Sequence, residues 1–320
     1  KDIVIYEVLV RDFDANRTYQ NLIDRIDYFK NLKINAVQLM PVMEFEGNES
    51  WGYNTAYHMA LDKRYGTEAK LKEFIDLCHQ NGIAVILDVA LNHVFSRSPL
   101  ERMWMLDPDN DGWGNGITAE NPYGNQSAMH SYNVGTDLNH FNANNMTQYY
   151  SERTIQHWMQ EFKIDGFRWD LTKGFTQNCP GGSNQETCTN AYQADRVSKL
   201  KQYADMQWAI DPNFYVIFEH LGNGGSYTEE VEWANYRKTG DSDGISKGIL
   251  LWRKMTDAYA NFLKGNSTNL SGVADGTNMF IGYAESHDEE RVMYKAMTET
   301  GQTQNNLVKE AGVDYIQGYL

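Results

Sequence analysis

Two side chains two residues apart are the first candidates for chemistry in this chain. The stretch Phe162-Lys163-Ile164-Asp165-Gly166-Phe167-Arg168-Trp169-Asp170 reads as a short strand. Successive strand side chains point to opposite faces, so Arg168 and Asp170 share one face and Phe167 and Trp169 the other. A carboxylate beside a guanidinium stays ionised, because the opposite charge lowers its pKa. An ionised carboxylate can act as a nucleophile. Taken alone, the pair suits a structural ion pair at a strand end at least as well.

Other polar residues gather in the same way. Val85 to His93 ends in Asp88, Asn92 and His93; Val216 to His220 ends in Glu219; Ile281 to Asp288 ends in His287 and Asp288. Each group follows a β-branched or aromatic run. In a parallel (β/α) barrel the active site is built at the C-terminal ends of the strands. One carboxylate there is more often a helix cap or ion-pair partner, and one histidine more often a satisfied core residue. Four such ends together point to a site. Retaining glycoside hydrolysis needs an ionised carboxylate as nucleophile and a protonated carboxyl as acid/base, roughly 5–5.5 Å apart. Asp170 suits the first role. Glu219 follows the apolar run Tyr215-Val216-Ile217-Phe218, and burial near other carboxylates raises a pKa as a general acid requires. Asp288 is a third carboxylate, placed to hold sugar hydroxyls and keep Glu219 protonated by like-charge repulsion. His93 and His287 are expected to donate to hydroxyls of the same sugar.

The elements that must position these residues alternate. Strands are expected at Ile3 to Val10, Ile34 to Met40, Ile83 to Asp88, Ile164 to Asp170, Phe214 to Phe218, Gly248 to Trp252 and Met279 to Ala284. Helical spacing is read at Leu22 to Leu32, Glu68 to Gln80, Asn144 to Phe162, Ala191 to Ile210, Thr228 to Tyr236 and Met255 to Leu263. Alternation of this kind predicts an α/β fold with a parallel sheet. The stretch from Val94 to about Thr136 is rich in Gly, Asn, Asp and Trp and lacks periodicity, which suggests an inserted subdomain. The domains are therefore 1–93 with 137–320, and 94–136.

Composition narrows the partners. Among 320 residues, 28 Lys and Arg face 43 Asp and Glu, a net charge of −15 with no basic run. That disfavours nucleic acid and anionic membrane as partners. No apolar run reaches the ~20 residues of a membrane span. Cys78 lies in a helical pattern and reads as a buried thiol. Cys179 and Cys188 flank a turn-rich loop that a disulfide could close, which would imply an oxidising compartment, extracellular or periplasmic.

These residues resemble the alpha-amylase family of glycoside hydrolases. Asp88-Val89-Ala90-Leu91-Asn92-His93 is similar to its first conserved stretch, and Gly166-Phe167-Arg168-Trp169-Asp170 to the second. Glu219 matches the third and Ser286-His287-Asp288 the fourth, with Ser286 where Asn is usual. Thr136-Asp137-Leu138-Asn139 is similar to the motif that closes the inserted domain, and Trp51-Gly52-Tyr53-Asn54 to the loop whose Tyr stacks on sugar. The resemblance runs from about Val4 to Arg291. It implies a (β/α)8 barrel with a small domain after the third strand. The implied activity is double-displacement hydrolysis of α-1,4 bonds in starch-like α-glucans: Asp170 as nucleophile, Glu219 as acid/base, Asp288 as transition-state stabiliser. It also implies sugar contacts from Tyr53, Asp88, His93, Arg168, Lys173 and His287. Lys173-Gly174 stands where the family usually has Lys-His. Many members bind calcium, for which Asn92, Asp137 and the Gly174 carbonyl are the matching ligands. The alternatives are a debranching or transglycosylating relative, pullulanase-like or neopullulanase-like, or a non-catalytic α-glucan-binding protein on the same scaffold. After Asp288 the pattern is helical, including Leu307, Val308, Ala311, Tyr315 and Ile316, with no eighth strand. The chain is therefore expected to be a fragment of a longer polypeptide.

Overall fold

A computed structural model describes residues 3–114, 116–223, 225–239, 242–266, 268, 280–301 and 303. It divides into two compact units, Lys1–Ile249 and Leu250–Leu320.

The first unit opens with strand β1 (Ile5–Val8), helices α1 (Val10–Phe13), α2 (Tyr19–Asp24) and α3 (Ile26–Asn31), and strand β2 (Ala36–Leu39). Strands β3 (Met43–Phe45) and β4 (Thr55–Leu61) form an antiparallel hairpin, followed by α4 (Glu68–Gln80), β5 (Ala84–Val89) and the short β6 (His93–Val94). Helix α5 (Pro99–Arg102), strand β7 (Thr136–Asp137), helix α6 (Met146–Glu161) and strand β8 (Gly166–Trp169) come next. A 3-10 turn (Thr172–Phe175) leads through α7 (Glu186–Thr189) to α8 (Ala194–Ile210), β9 (Tyr215–Phe218) and α9 (Gly225–Asn235).

Strands β1, β2, β5, β8 and β9 pair in parallel in that order. A sheet that adds each new strand beside the last, with helices between, is the (β/α) barrel arrangement. Every residue of β2 and β8 is buried, as expected of parallel strands covered on both faces. Trp169 stacks on Tyr203 of α8 with ring centroids 5.4 Å apart, so the aromatic face of β8 does pack beneath a helix.

The second unit contains β10 (Leu250–Lys254), α10 (Thr256–Leu263), β11 (Phe280–Tyr283) and α11 (Val292–Thr300). Its two strands pair in parallel, and Ala260, Leu263, Val292 and Ala296 join its helices. All seven expected strands are thus present in the described residues, five in the first unit and two in the second.

Some expectations are corrected. The first strand stops at Val8 and the chain turns into α1. The helix expected over Leu22 to Leu32 breaks at Arg25, whose backbone leaves the helical region while its side chain donates to Asp14. The β3–β4 hairpin adds two strands to those expected; its register shifts twice, which erases the two-residue alternation. Within the first unit, Val94, Leu100 and Leu138 form a small core with Tyr123 and Tyr150. The start of the seventh strand at Met279 and the helical pattern beyond Leu307 lie outside the described residues.

Candidate active site

The ends of β5, β8 and β9 bring three carboxylates onto one guanidinium. Asp88 pairs with Arg168 in the β5–β8 register. Arg168 is fully buried, and its Nη1 donates to Asp88 Oδ1 at 3.0 Å and to Asp170 Oδ1 at 2.9 Å. Its Nη2 lies 3.2 Å from Glu219 Oε1. Burying charges is costly unless they are paired and hydrogen-bonded. The Asp170 and Glu219 side chains keep 14% and 12% exposure, so this is the end of the cluster that opens to solvent.

Charge balance decides protonation. One guanidinium serves three carboxylates, so full ionisation would leave the buried cluster strongly negative. Burial first, and then the charge of Glu219, push the Asp170 carboxyl up to about 8, against the opposing pull of Arg168. This corrects the expectation that Arg168 holds Asp170 ionised at ordinary acidity. The guanidinium is shared, and desolvation outweighs the share that Asp170 receives.

Glu219 is fixed from both ends. Its backbone N–H donates to Trp169 O, and its Oε2 accepts from the Leu171 N–H at 2.8 Å. Leu171 adopts a left-handed conformation, φ 46, that turns this N–H toward the carboxylate. Thr172 donates its N–H to Glu219 O at 3.0 Å, and its hydroxyl lies 2.9 Å from His220 Nδ1. Behind it, the His220 Nε2 lies 2.7 Å from Glu229, which Arg196 also grips, all fully buried. Burial takes His220 down to about 4.

The other expected contacts divide. The Tyr53 hydroxyl donates to Asp88 Oδ2 at 2.7 Å, and its ring centroid is 5.7 Å from the Arg168 guanidinium carbon. Gly52 makes that loop feasible: it has φ +101, and a Cβ there would lie 2.7 Å from Pro41 O. Asp88 is wholly buried between Arg168 and Tyr53, so it positions other groups and is not open to sugar. His93 is also buried: its Nε2 lies 2.7 Å from Tyr53 O and its Nδ1 2.5 Å from Asn92 Oδ1. With both ring nitrogens facing protein oxygens, the expected donation to a sugar hydroxyl is not prepared here. Lys173 Nζ donates to Asn190 Oδ1 at 2.7 Å and Leu221 O at 3.2 Å, and burial lowers its pKa. His287 and Asp288 lie in the second unit in the turn after β11, His287 Nε2 3.4 Å from Asp288 Oδ2.

The three expected calcium ligands cluster around a residue that the sequence did not single out, His130. Asp137 Oδ2 accepts from Asn125 Nδ2 at 2.8 Å and the Met129 N–H at 3.0 Å, while Oδ1 faces His130 Nε2 at 3.3 Å. Asn92 Nδ2 donates to Asp170 O at 3.0 Å, and its Oδ1 is the atom held against His93. A Cβ on Gly174 would lie 2.9 Å from Asn92 Cβ and 3.2 Å from His130 Nε2. Calcium takes about six to eight oxygens. Of the two side chains named for it, only Asp137 Oδ1 keeps an uncommitted oxygen. This donor set does not fit the ion. His130, Thr172, Asn190, Arg196 and Glu229 were missed because they lie in aperiodic segments or on helices where only tertiary packing reveals their role.

The catalytic-domain model of the alpha-amylase family matches residues 12–104. Malto-oligosyltrehalose trehalohydrolase from Saccharolobus solfataricus is 23% identical over 305 residues, 90% of this chain and 50% of that protein. Chloroplastic isoamylase 1 from Oryza sativa subsp. japonica is 30% identical over 207 residues, 56% of this chain and 25% of that protein. The crystal structure of type I pullulanase from Bacillus subtilis str. 168 complexed with maltose has a TM-score of 0.65 at 21% identity, covering 97% of this chain and 48% of that one. The chain spans half or less of the length of these relatives. Parallel strands in barrel order, with carboxylates at their ends, agree with the (β/α)-barrel fold of these proteins. The chain is thus similar, over nearly its whole length, to glycoside hydrolases of the alpha-amylase family.

Proposed function

We propose that this protein hydrolyses α-glucosidic bonds of an α-glucan with retention of configuration. The observation that carries this reading is the shared guanidinium: Arg168 contacts both Asp170 and Glu219 at the ends of neighbouring strands. Asp170 Oδ attacks the anomeric carbon as the bond from that carbon to the leaving oxygen breaks. Glu219 gives its proton to that oxygen. Positive charge developing on the sugar ring favours the anion at Asp170 and leaves the proton with Glu219. Water then attacks the glucosyl ester, Glu219 takes its proton, and Asp170 is released. Asp288 and His287, assigned by their motif, would contact hydroxyls of the reacting sugar, and Tyr53 would stack on it. The raised pKa of Asp170 supports the reading, because perturbed carboxyls cluster at catalytic sites. The Cys179–Cys188 disulfide supports an exported protein.

A second reading, debranching at α-1,6 bonds, is favoured by the likeness to an isoamylase and a pullulanase. Reducing ends released from amylose, from pullulan and from a malto-oligosyltrehalose separate the substrate classes. Asp170→Asn and Glu219→Gln should each lower turnover by at least a thousandfold, roughly 4 kcal/mol of transition-state stabilisation, while leaving oligosaccharide binding measurable. Near-wild-type turnover in either variant, or an inverted anomer in the first product seen by NMR, overturns the assignment.

A further inference from the structure

We propose that the His130 imidazole occupies the place of the calcium ion that the family resemblance puts between Asn92, Asp137 and Gly174, so that this junction is organised without metal. The argument turns on where the ring keeps its proton. His130 is fully buried, and its Nδ1 accepts from the Tyr132 backbone N–H at 3.2 Å. A backbone N–H can only donate, so Nδ1 carries no proton and the proton sits on Nε2. Nε2 is the atom that faces Asp137 Oδ1 at 3.3 Å. A protonated nitrogen cannot ligate a cation, and its positive edge repels one. It stands 3.3 Å from the one Asp137 oxygen that has no hydrogen-bond partner, and it makes no hydrogen bond of its own there.

Space agrees with charge. The same Nε2 packs against Gly174, at 3.2 Å from where a Cβ would stand, and Asn92 Cβ is 2.9 Å from that same point. The ring thus stands close to both Gly174 and Asp137, two of the residues that would surround an ion. The remaining Asp137 oxygen is occupied by Asn125 and Met129, and the Asn92 oxygen lies 2.5 Å from His93 Nδ1. The junction matters to the site, because Asn92 also holds the backbone oxygen of Asp170. His130 thereby ties segment 94–136, strand β7 and the turn after Asp170 at one point.

The test must separate this place from the exposed loop where carboxylate oxygens of Asp107, Asp109 and Asp111 lie within 4.8 Å of one another. Calcium titration calorimetry and thermal unfolding, in millimolar CaCl2 against EDTA, are run on Asp109→Asn, which disables that loop. The expected result is no calcium binding that depends on Asp137 and an unchanged unfolding midpoint. His130→Asp, which exchanges the N–H for a carboxylate, should gain a calcium-dependent rise of several degrees. Stoichiometric calcium binding to Asp109→Asn that Asp137→Asn abolishes, with a raised midpoint, overturns the proposal. Binding that survives Asp137→Asn lies elsewhere and leaves His130 in the cation's place. Should His130→Asp fail to fold in either buffer, the Asp109→Asn measurements still decide.

Discussion

Arg168 shows what a catalytic carboxylate pair costs the residues around it. The guanidinium neutralises Asp88, whose second oxygen is held by Tyr53, and what is left must be divided between Asp170 and Glu219. Asp170 is accordingly raised from 3.8 to about 8 by burial and by its carboxylate neighbour. The linkage has a definite sign. Folding protects the proton on Asp170, so the native state binds more protons than the unfolded chain between about pH 4 and about pH 8. The stability that this proton contributes is complete below pH 4 and is lost as pH rises through 8. Asp170→Asn removes the titration. The unfolding midpoint of the variant relative to wild type should therefore climb steadily across that window. A difference that stays flat or falls as pH rises contradicts the raised pKa. The identities of Asp170, Glu219 and Arg168 were legible in the sequence because strand periodicity and strand ends place them without further information. Their protonation was not, because it depends on how many carboxylates the fold sets around one cation. His93 was misjudged for a related reason: its motif is visible, but the two protein oxygens that take its nitrogens are not.

At the scale of elements, α4 is the clearest case of local sequence carrying structure through to the site. Thr67 caps it by accepting from the Lys70 N–H, and Leu71, Phe74, Ile75 and Cys78 form one buried stripe. The helix delivers the chain into β5, whose end holds Asp88. Thr67→Ala should cost about 1 kcal/mol in a urea unfolding curve, and Thr67→Ser should recover most of it. Catalysis should be unchanged in both, since the Thr67 cap bond stays within its own helix. Equal stability of the Ala variant and wild type would mean that packing of the stripe alone fixes this helix. Elements with this much local agreement were readable in advance. The break between α2 and α3 was not, because Arg25 answers to Asp14 across a turn and not to helical spacing. Nor was the β3–β4 hairpin, whose bulges hide its period.

At the scale of the whole molecule, the Cys179–Cys188 disulfide fastens a surface loop that many long-range contacts share. The loop reaches segment 94–136 where Ser131 N–H donates to Thr189 Oγ1 and Ser131 Oγ to Gly182 O. Asn190, two residues after Cys188, donates to the Tyr132 hydroxyl and receives Lys173 Nζ. Arg196 of α8 donates to the carbonyls of both Thr189 and Lys173. One crosslink with a sequence separation of 9 thus steadies the turn after Asp170 from outside. Closing a loop of that size removes about 2.5 kcal/mol of chain entropy from the unfolded state. In a unit this large, that corresponds to a fall in unfolding midpoint of roughly 5 °C when both cysteines become serine. Wild type in reductant should approach the same midpoint, and the double variant should not respond to reductant at all. Cys78 does not confuse the comparison, because it is buried and its thiol is pushed up to about 12. The Michaelis constant should rise in the double variant as Asn190 and Lys173 loosen, with turnover less affected, since neither residue touches Asp170 or Glu219 directly. Equal midpoints for wild type and double variant would show that the hydrogen bonds of Ser131, Asn190 and Arg196 hold the loop without the crosslink.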